Sequence, residues 1–266
     1  MSTIAAVAAP QEGWTKGHTA GVVAVLGALL AGGAVIPTLT ERVAAPNDLR
    51  IAAWLGSAAL LLGFAAVVGH GVTGCYRGAV VDRRNRVSLA RIQVGAWSIL
   101  VLSALYAAIL VNLGADDASP LSLTIPSELW LAMGVSTGSF VASPLVLKTA
   151  KRKGDIATHD SIGKSTWLDL FRGEEDDNSC WVDLSRIQLF FFTFFLVLLY
   201  GVALASTFWK RHPVVHSLPA MNEALVVLLA VSHAGYLTKK AVPKAKPDPE
   251  RTKPRGASSK RGAATT

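Results

Sequence analysis

Polar and apolar residues alternate along this chain in long blocks. Six stretches, 20–40, 51–72, 92–113, 129–147, 187–209 and 218–238, carry almost no charge, and the polar residues collect between them. Each holds about 20 residues, which at about 1.5 Å per residue crosses a hydrocarbon core of about 30 Å. The pattern predicts an all-α integral membrane protein with six transmembrane helices. The same blocks divide the chain into a short N-terminal segment 1–19, a first hairpin 20–72, a basic loop and second hairpin 73–147, a polar loop 148–181, a third hairpin 182–238 and a basic tail 239–266.

Charge sets the expected orientation. With the N-terminus in the cytosol, 22 of the 26 Lys and Arg fall on the cytosolic side. Arg42, Arg50, Lys210 and Arg211 fall outside, and the loop 114–126 has none. Because Lys and Arg in short loops are retained inside, both termini are expected in the cytosol, in a plasma membrane of bacterial type. The formal charge of +8 is then a matter of topology and of attraction to anionic lipid headgroups at the tail, and nucleic acid is not an expected partner. Cys75 and Cys180 both lie on the side where thiols stay reduced, so no disulfide is expected. The apolar patch 4–9 is too short to span and has no basic residue before it, so the first span is read as retained rather than as a cleaved leader.

A repeat runs through the last four spans. Val87-Ser-Leu-Ala-Arg-Ile-Gln93 opens the third and Val182-Asp-Leu-Ser-Arg-Ile-Gln188 the fifth, with five of seven positions identical. Met133-Gly-Val-Ser-Thr-Gly-Ser-Phe-Val141 in the fourth span matches Leu229-Ala-Val-Ser-His-Ala-Gly-Tyr-Leu237 in the sixth. The last four helices are therefore expected to form two parallel-repeat helical hairpins, related by a pseudo-twofold axis along the membrane normal. Small residues at Ala24, Ala28, Gly32, Ala52, Gly56, Ala59, Gly63, Gly134 and Gly138 mark faces where backbones can approach, expected to pack within one molecule.

The cytosolic segments carry three local signals. Thr166-Trp-Leu-Asp-Leu-Phe171 reads as a short helix with Ser165 or Thr166 as N-cap, apolar enough to lie at the interface or under the bundle. The run Glu174, Glu175, Asp176, Asp177 lacks the alternation of an EF-hand and reads as a solvated acidic turn beside Arg or Lys rather than a cation site. The tail, rich in Lys, Arg and Pro, cannot bury enough apolar surface to fold by itself. It serves as a topological anchor or as a dock for a cytosolic protein.

Candidate functional groups are few. Arg91 and Gln93 repeat as Arg186 and Gln188, and if both amides face the axis they line a pore mouth or clamp helices. Ser136 and Ser232 occupy matching places, either lining a path or packing. Glu223 and His233 are the ionisable groups inside apolar stretches, and His70 ends the second span where solvent reaches. No metal-ligand spacing, nucleophile elbow, HExxH or paired intramembrane carboxylates are present, so neither an enzyme nor a cofactor is expected. Two classes remain: a small, oligomeric channel or passive transport protein lined by polar faces of helices 3–6, and a non-catalytic scaffold or regulatory subunit engaging a cytosolic partner. Cysteines placed singly at Asp117 and Ser259 are expected to react with an impermeant maleimide from opposite sides of the membrane, and labelling from one side only overturns the topology.

Overall fold

In a computed structural model the described residues are 13–42, 46–150, 157–174, 179–210 and 214–241. Among them the chain forms six α-helices and no multi-residue strand: α1 (Lys16–Arg42), α2 (Pro46–Thr73), α3 (Leu89–Gly114), α4 (Ser127–Ala150), α5 (Leu184–Trp209) and α6 (Glu223–Ala241). Helices are the required solution for an open chain in hydrocarbon, where a backbone N–H or C=O has no water to bond. Five of them, α1 to α5, are long and apolar enough to cross a membrane. The sixth, α6, has 19 residues, interrupted by Ser232 and His233 and ended by Lys239 and Lys240. The acidic run's Glu175, Asp176 and Asp177, the patch 4–9 and the tail from 242 lie outside the described residues.

Local chemistry ends these helices where they end. Gly74 takes φ +70 and its N–H returns to the carbonyl of His70, the left-handed cap that glycine adopts without a Cβ penalty. Asp183 caps α5 by accepting from the N–H of Ser185 at 3.0 Å. Pro126 precedes α4 and its carbonyl accepts from the N–H of Leu129 at 3.1 Å, so the missing proline donor falls where a helix has no use for it.

Helices α3 to α6 form a closed ring in the order α3, α4, α6, α5, each packed on its two neighbours. Contacts at both ends define the directions. Helices α4 and α6 start together, where Leu218 donates to Thr124 at 3.0 Å, and converge again where Lys240 meets Ser143. Likewise Gln93 of α3 meets Thr193 of α5 near one end, and Asn112 meets Val215 at the other. So α3 runs parallel to α5 and α4 parallel to α6. Each helix lies beside its sequence counterpart, whereas a twofold axis through the bundle would place counterparts diagonally. The two copies of the motif nonetheless open alike: α3 and α5 each have 26 residues, and each follows an antiparallel bridge, Val81 with Val87 and Arg172 with Val182.

Helices α1 and α2 lean on α3, with α2 also touching α5. At their basic ends His18 and His70 are joined, Nε2 to Nδ1, at 2.8 Å, so His70 has a partner where solvation was expected. A shallow groove of about 450 Å³ between α1, α2 and Tyr106 is lined by Ala28, Gly32, Ala52 and Gly56. The expectation for Gly134 and Gly138 does not hold: a Cβ on either would meet nothing within 4 Å, and both are exposed on the outside of the ring. Phe191, Phe194 and Phe195 are also exposed on the outside.

The far half of the ring, away from the basic end, is filled by Ala104, Ala107, Ala108, Val111, Leu129, Ala132, Leu196, Leu204, Phe208 and Leu229, all at most 4% exposed. Asn112 closes that end. Its side chain donates to the Val215 carbonyl at 2.9 Å and accepts from the Val215 N–H at 2.8 Å, imitating a strand pair. Leucine at 112 would orphan both backbone groups of Val215. We expect Asn112→Leu to lower unfolding free energy in detergent by about 1–3 kcal/mol, seen as a lower thermal midpoint, and an unchanged midpoint would show the clasp to be idle.

Candidate functional site

The basic end is organised by a carboxylate that the sequence hid in an acidic run. The reverse turn 81–87 presents Arg84 and Arg86. Glu174 lies just after Arg172 of the second bridge, and Arg186 and Lys240 follow from the start of α5 and the end of α6. Glu174, its side chain 11% exposed, places Oε2 2.5 Å from Lys240 Nζ and Oε1 3.1 Å from Arg84 and 3.4 Å from Arg186. The Tyr236 hydroxyl donates to the same Oε1 at 3.2 Å. Asp169 sits alongside, 3.7 Å from Arg86 Nε and 3.1 Å from His159 Nε2.

These charges carry the loop with them. Arg86 donates to the Gly173 carbonyl at 2.7 Å, and Arg186 donates to the carbonyls of Leu170 at 3.0 Å and Arg172 at 3.1 Å. The Ala157 N–H donates to the Glu174 carbonyl at 3.0 Å, and the His159 N–H to that of Arg84 at 3.0 Å. The segment 157–174 is thus laid across the basic end of the ring. The expected helix within it is a single 3-10 turn, Trp167–Leu170, with a Thr166–Asp169 capping box. Its apolar residues split: Leu170 is buried and Phe171 meets Phe190 edge to face at 5.1 Å, while Trp167 and Leu168 stay exposed. Glu174 is not the solvated residue expected.

Burial by itself would raise the Glu174 carboxyl, but Lys240, Arg84 and Arg186 outweigh it and hold the group far below the usual carboxylate range. Asp169 is lowered as well, burial being offset by the Thr166 N–H, His159 and Arg86. Arg86 is lowered by burial and by its like-charged neighbour Arg186. Four cations, Arg84, Arg86, Arg186 and Lys240, face three carboxylates, Glu174, Asp169 and Asp82. The cluster keeps a surplus of positive charge.

Above it the core stays polar for several turns. Buried positions on α4 recur as Leu129, Ala132, Ser136, Ser139 and Ser143, and on α6 as Val226, Leu229, Ser232, His233, Tyr236 and Lys240. Both stripes change from apolar to polar at the middle of the helix. Gln93, fully buried on α3, donates through Nε2 to Thr193 Oγ1 at 2.6 Å, leaving its Oε1 without a partner among the described residues. The hydroxyls of Ser136, Ser139 and Ser232, the Trp97 Nε1 and both ring nitrogens of His233 are equally buried and unpaired there. Leaving a buried polar group unmade costs about 1–3 kcal/mol, so a set of this size is expensive for a site whose only purpose is packing.

The expected pairs divide. Arg186 is buried in the ionic cluster, but Arg91 is half-buried, donating to the Ala79 carbonyl at 3.4 Å with its guanidinium 6.0 Å from the Phe140 ring. Gln93 is inside the ring, and Gln188 is exposed. The structure does not bring the two amides together. Ser136, Ser232 and His233 are interior, while Glu223 begins α6 in an exposed position that suits the helix dipole. Sequence reasoning missed Glu174, Arg84, Arg86, Asp169, Ser139, Ser143, Thr193, Tyr236 and Lys240. The 3-4 spacing of Ser136, Ser139 and Ser143 was the available signal. Among the described residues no group of three or more His, Cys, Asp and Glu is placed to hold a metal ion, and Cys75 and Cys180 are free thiols.

A carboxylate whose folded value is depressed stabilises above its unfolded value, about 4.3 for Glu, and loses that contribution as pH falls. Replacing Glu174 by Gln removes the carboxylate that Lys240, Arg84 and Arg186 share. We expect Glu174→Gln to cost about 3 kcal/mol at pH 7, the gap from wild type narrowing below about pH 5 as wild type loses its advantage. A gap that does not change with pH in thermal melts between pH 3 and 7 would contradict this.

No protein-family model matches this chain, no curated protein is similar to it, and no solved structure matches its fold.

Proposed function

We propose that this protein is a small passive transport protein of the channel class, crossing the plasma membrane six times with both termini in the cytosol. Its path runs through the ring of α3 to α6. The observation that carries this reading is the division of the ring's core, polar and unpaired on the basic half and apolar on the far half. Hydroxyls and amides can replace part of a solute's hydration shell without the cost of a fixed buried charge. The segment 157–174, held by Glu174, covers the cytosolic mouth, and Leu129, Leu204, Phe208 and Leu229 fill the opposite end, so the conformation described is closed. Opening requires the loop to leave and the far half to spread.

The matched openings of α3 and α5 support an origin of the two hairpins by duplication, after which Arg186 and Gln93 kept interior places and Arg91 and Gln188 did not. A second reading, that of a scaffold, draws on exposed Trp167, Leu168, Trp181 and Leu184 around the loop, a surface for a cytosolic protein, and on the outward Gly134 and Gly138, a face for a second copy of the chain. Flux in liposomes separates the two. Wild-type protein is expected to pass glycerol or potassium above empty liposomes, Glu174→Gln to pass several-fold more, and Gln93→Leu less than wild type with its thermal midpoint retained. No flux from either wild type or Glu174→Gln would replace transport with the scaffold.

A further inference from the structure

The unpaired groups of the core lie at one depth. Helices α3 and α4 are antiparallel, with Arg91 over the Phe140 ring toward one end and Asn112 donating to the Pro120 carbonyl at 3.4 Å at the other. Gln93 therefore lies level with Ser136 and Ser139. Helices α4 and α6 are parallel, and the Ser143–Lys240 contact places His233 level with Ser136. Thr193 of α5 completes the level through Gln93. Three helices, α3, α4 and α6, thus contribute Gln93 Oε1, Ser136 Oγ, Ser139 Oγ, Ser232 Oγ and both His233 nitrogens, from side chains no more than 8% exposed and without partners among the described residues. Trp97, its ring 6.0 Å from that of Tyr200, adds an unpaired N–H on the far side.

We propose that this level is a binding site for a small, uncharged solute carrying both hydrogen-bond donors and acceptors, of the polyol or amide class, entered from the cytosolic mouth. The proposal rests on the transport reading and names its substrate class. The groups present decide the class. Each serine hydroxyl can both donate and accept, the Gln93 carbonyl accepts, the Trp97 indole donates, and a neutral imidazole does one of each. Among the described residues no fixed charge faces the interior at this level to neutralise an ion. Lys240 and the Glu174 cluster lie seven residues further along α6, about 10 Å away, and Arg91 is turned to Ala79 and Phe140. An anion is held back at the surplus positive charge of the mouth, and a cation is repelled by it.

Thiol labelling reads this site independently of flux. With Cys75 and Cys180 replaced by serine, cysteine is placed singly at Ser136, at Ser232 and, as a control in the sealed half, at Ala108. Each variant is made with wild-type Glu174 and with Glu174→Gln, and reacted in nanodiscs with hydroxyethyl, trimethylammonioethyl and sulfonatoethyl methanethiosulfonates. In the Glu174→Gln background the neutral reagent is expected to modify positions 136 and 232 about tenfold or more faster than 108, with both charged reagents about tenfold slower than the neutral one, because access limits the thiol's rate. Molar glycerol should slow the reaction at 136 and 232 and leave 108 unchanged. Where Glu174→Gln does not fold, Lys240→Met opens the same lock, and Ser139→Cys reports the same depth. Rates at 136 and 232 equal to that at 108, or a cation reacting as fast as the neutral reagent, overturn the proposal. Labelling as expected without liposome flux leaves the site and removes transport. Flux without labelling leaves transport and removes the site.

Discussion

The basic end of this bundle depends on one carboxylate in a place where an isolated charge could not stay. Taking a carboxylate out of water costs several kcal/mol, and Glu174 offsets this through Lys240, Arg84, Arg186 and the Tyr236 hydroxyl. Those partners come from a reverse turn, from the start of α5 and from the end of α6, so satisfying one side chain fixes three pieces of chain against each other. The loop 157–174 follows because its own carbonyls at Leu170, Arg172 and Gly173 receive the remaining guanidinium donors. In lipid, where helices gain nothing by hiding apolar surface from one another, such polar contacts and close packing are what distinguish one arrangement from its neighbours.

From that end the core grades from charge to neutral polarity to hydrocarbon. Two turns of α4 and α6 separate Ser143 and Lys240 from Ser136 and His233, and beyond Ser136 and Ser232 every buried position on both stripes is Leu, Val or Ala. The apolar half is buried to 4% exposure or less, with Asn112 bonded to Val215 at its end. The polar half holds groups that meet no partner among the described residues. A bundle filled at one end and incompletely bonded at the other has the uneven local contacts from which moving parts are drawn.

The repeated motif diverges in the same way. Val87 and Val182 each close a bridge before a helix of identical length, so the backbone duty of the two copies is the same. Their side chains meet different neighbours because counterpart helices stand side by side in the ring. Arg186 faces the loop and is buried, while Arg91 faces Phe140 at the perimeter. Gln93 points inward to Thr193, and Gln188 is exposed.

Element existence was legible because it needs only composition: about 20 apolar residues must become a helix in hydrocarbon, and the observed helices fall on all six predicted stretches. The local caps were legible too, since Thr166 and Asp169 lie three residues apart and bond over that span. Ring order was not, because it depends on contacts between residues about a hundred apart, such as Gln93 with Thr193 and Ser143 with Lys240, which leave no mark in either segment alone. The fate of each charge was equally hidden. Glu174 sits in a run of acids and Lys240 at the head of a basic tail, compositions that read as solvated, and only the approach of α6 to the turn before α5 makes burial tolerable. The sequence by itself determined the helices and the side on which their charges gather, because those are properties of single segments in a membrane. How the helices come together set which polar groups face inward and which meet no partner among the described residues, because that depends on neighbours at one depth rather than on any single segment.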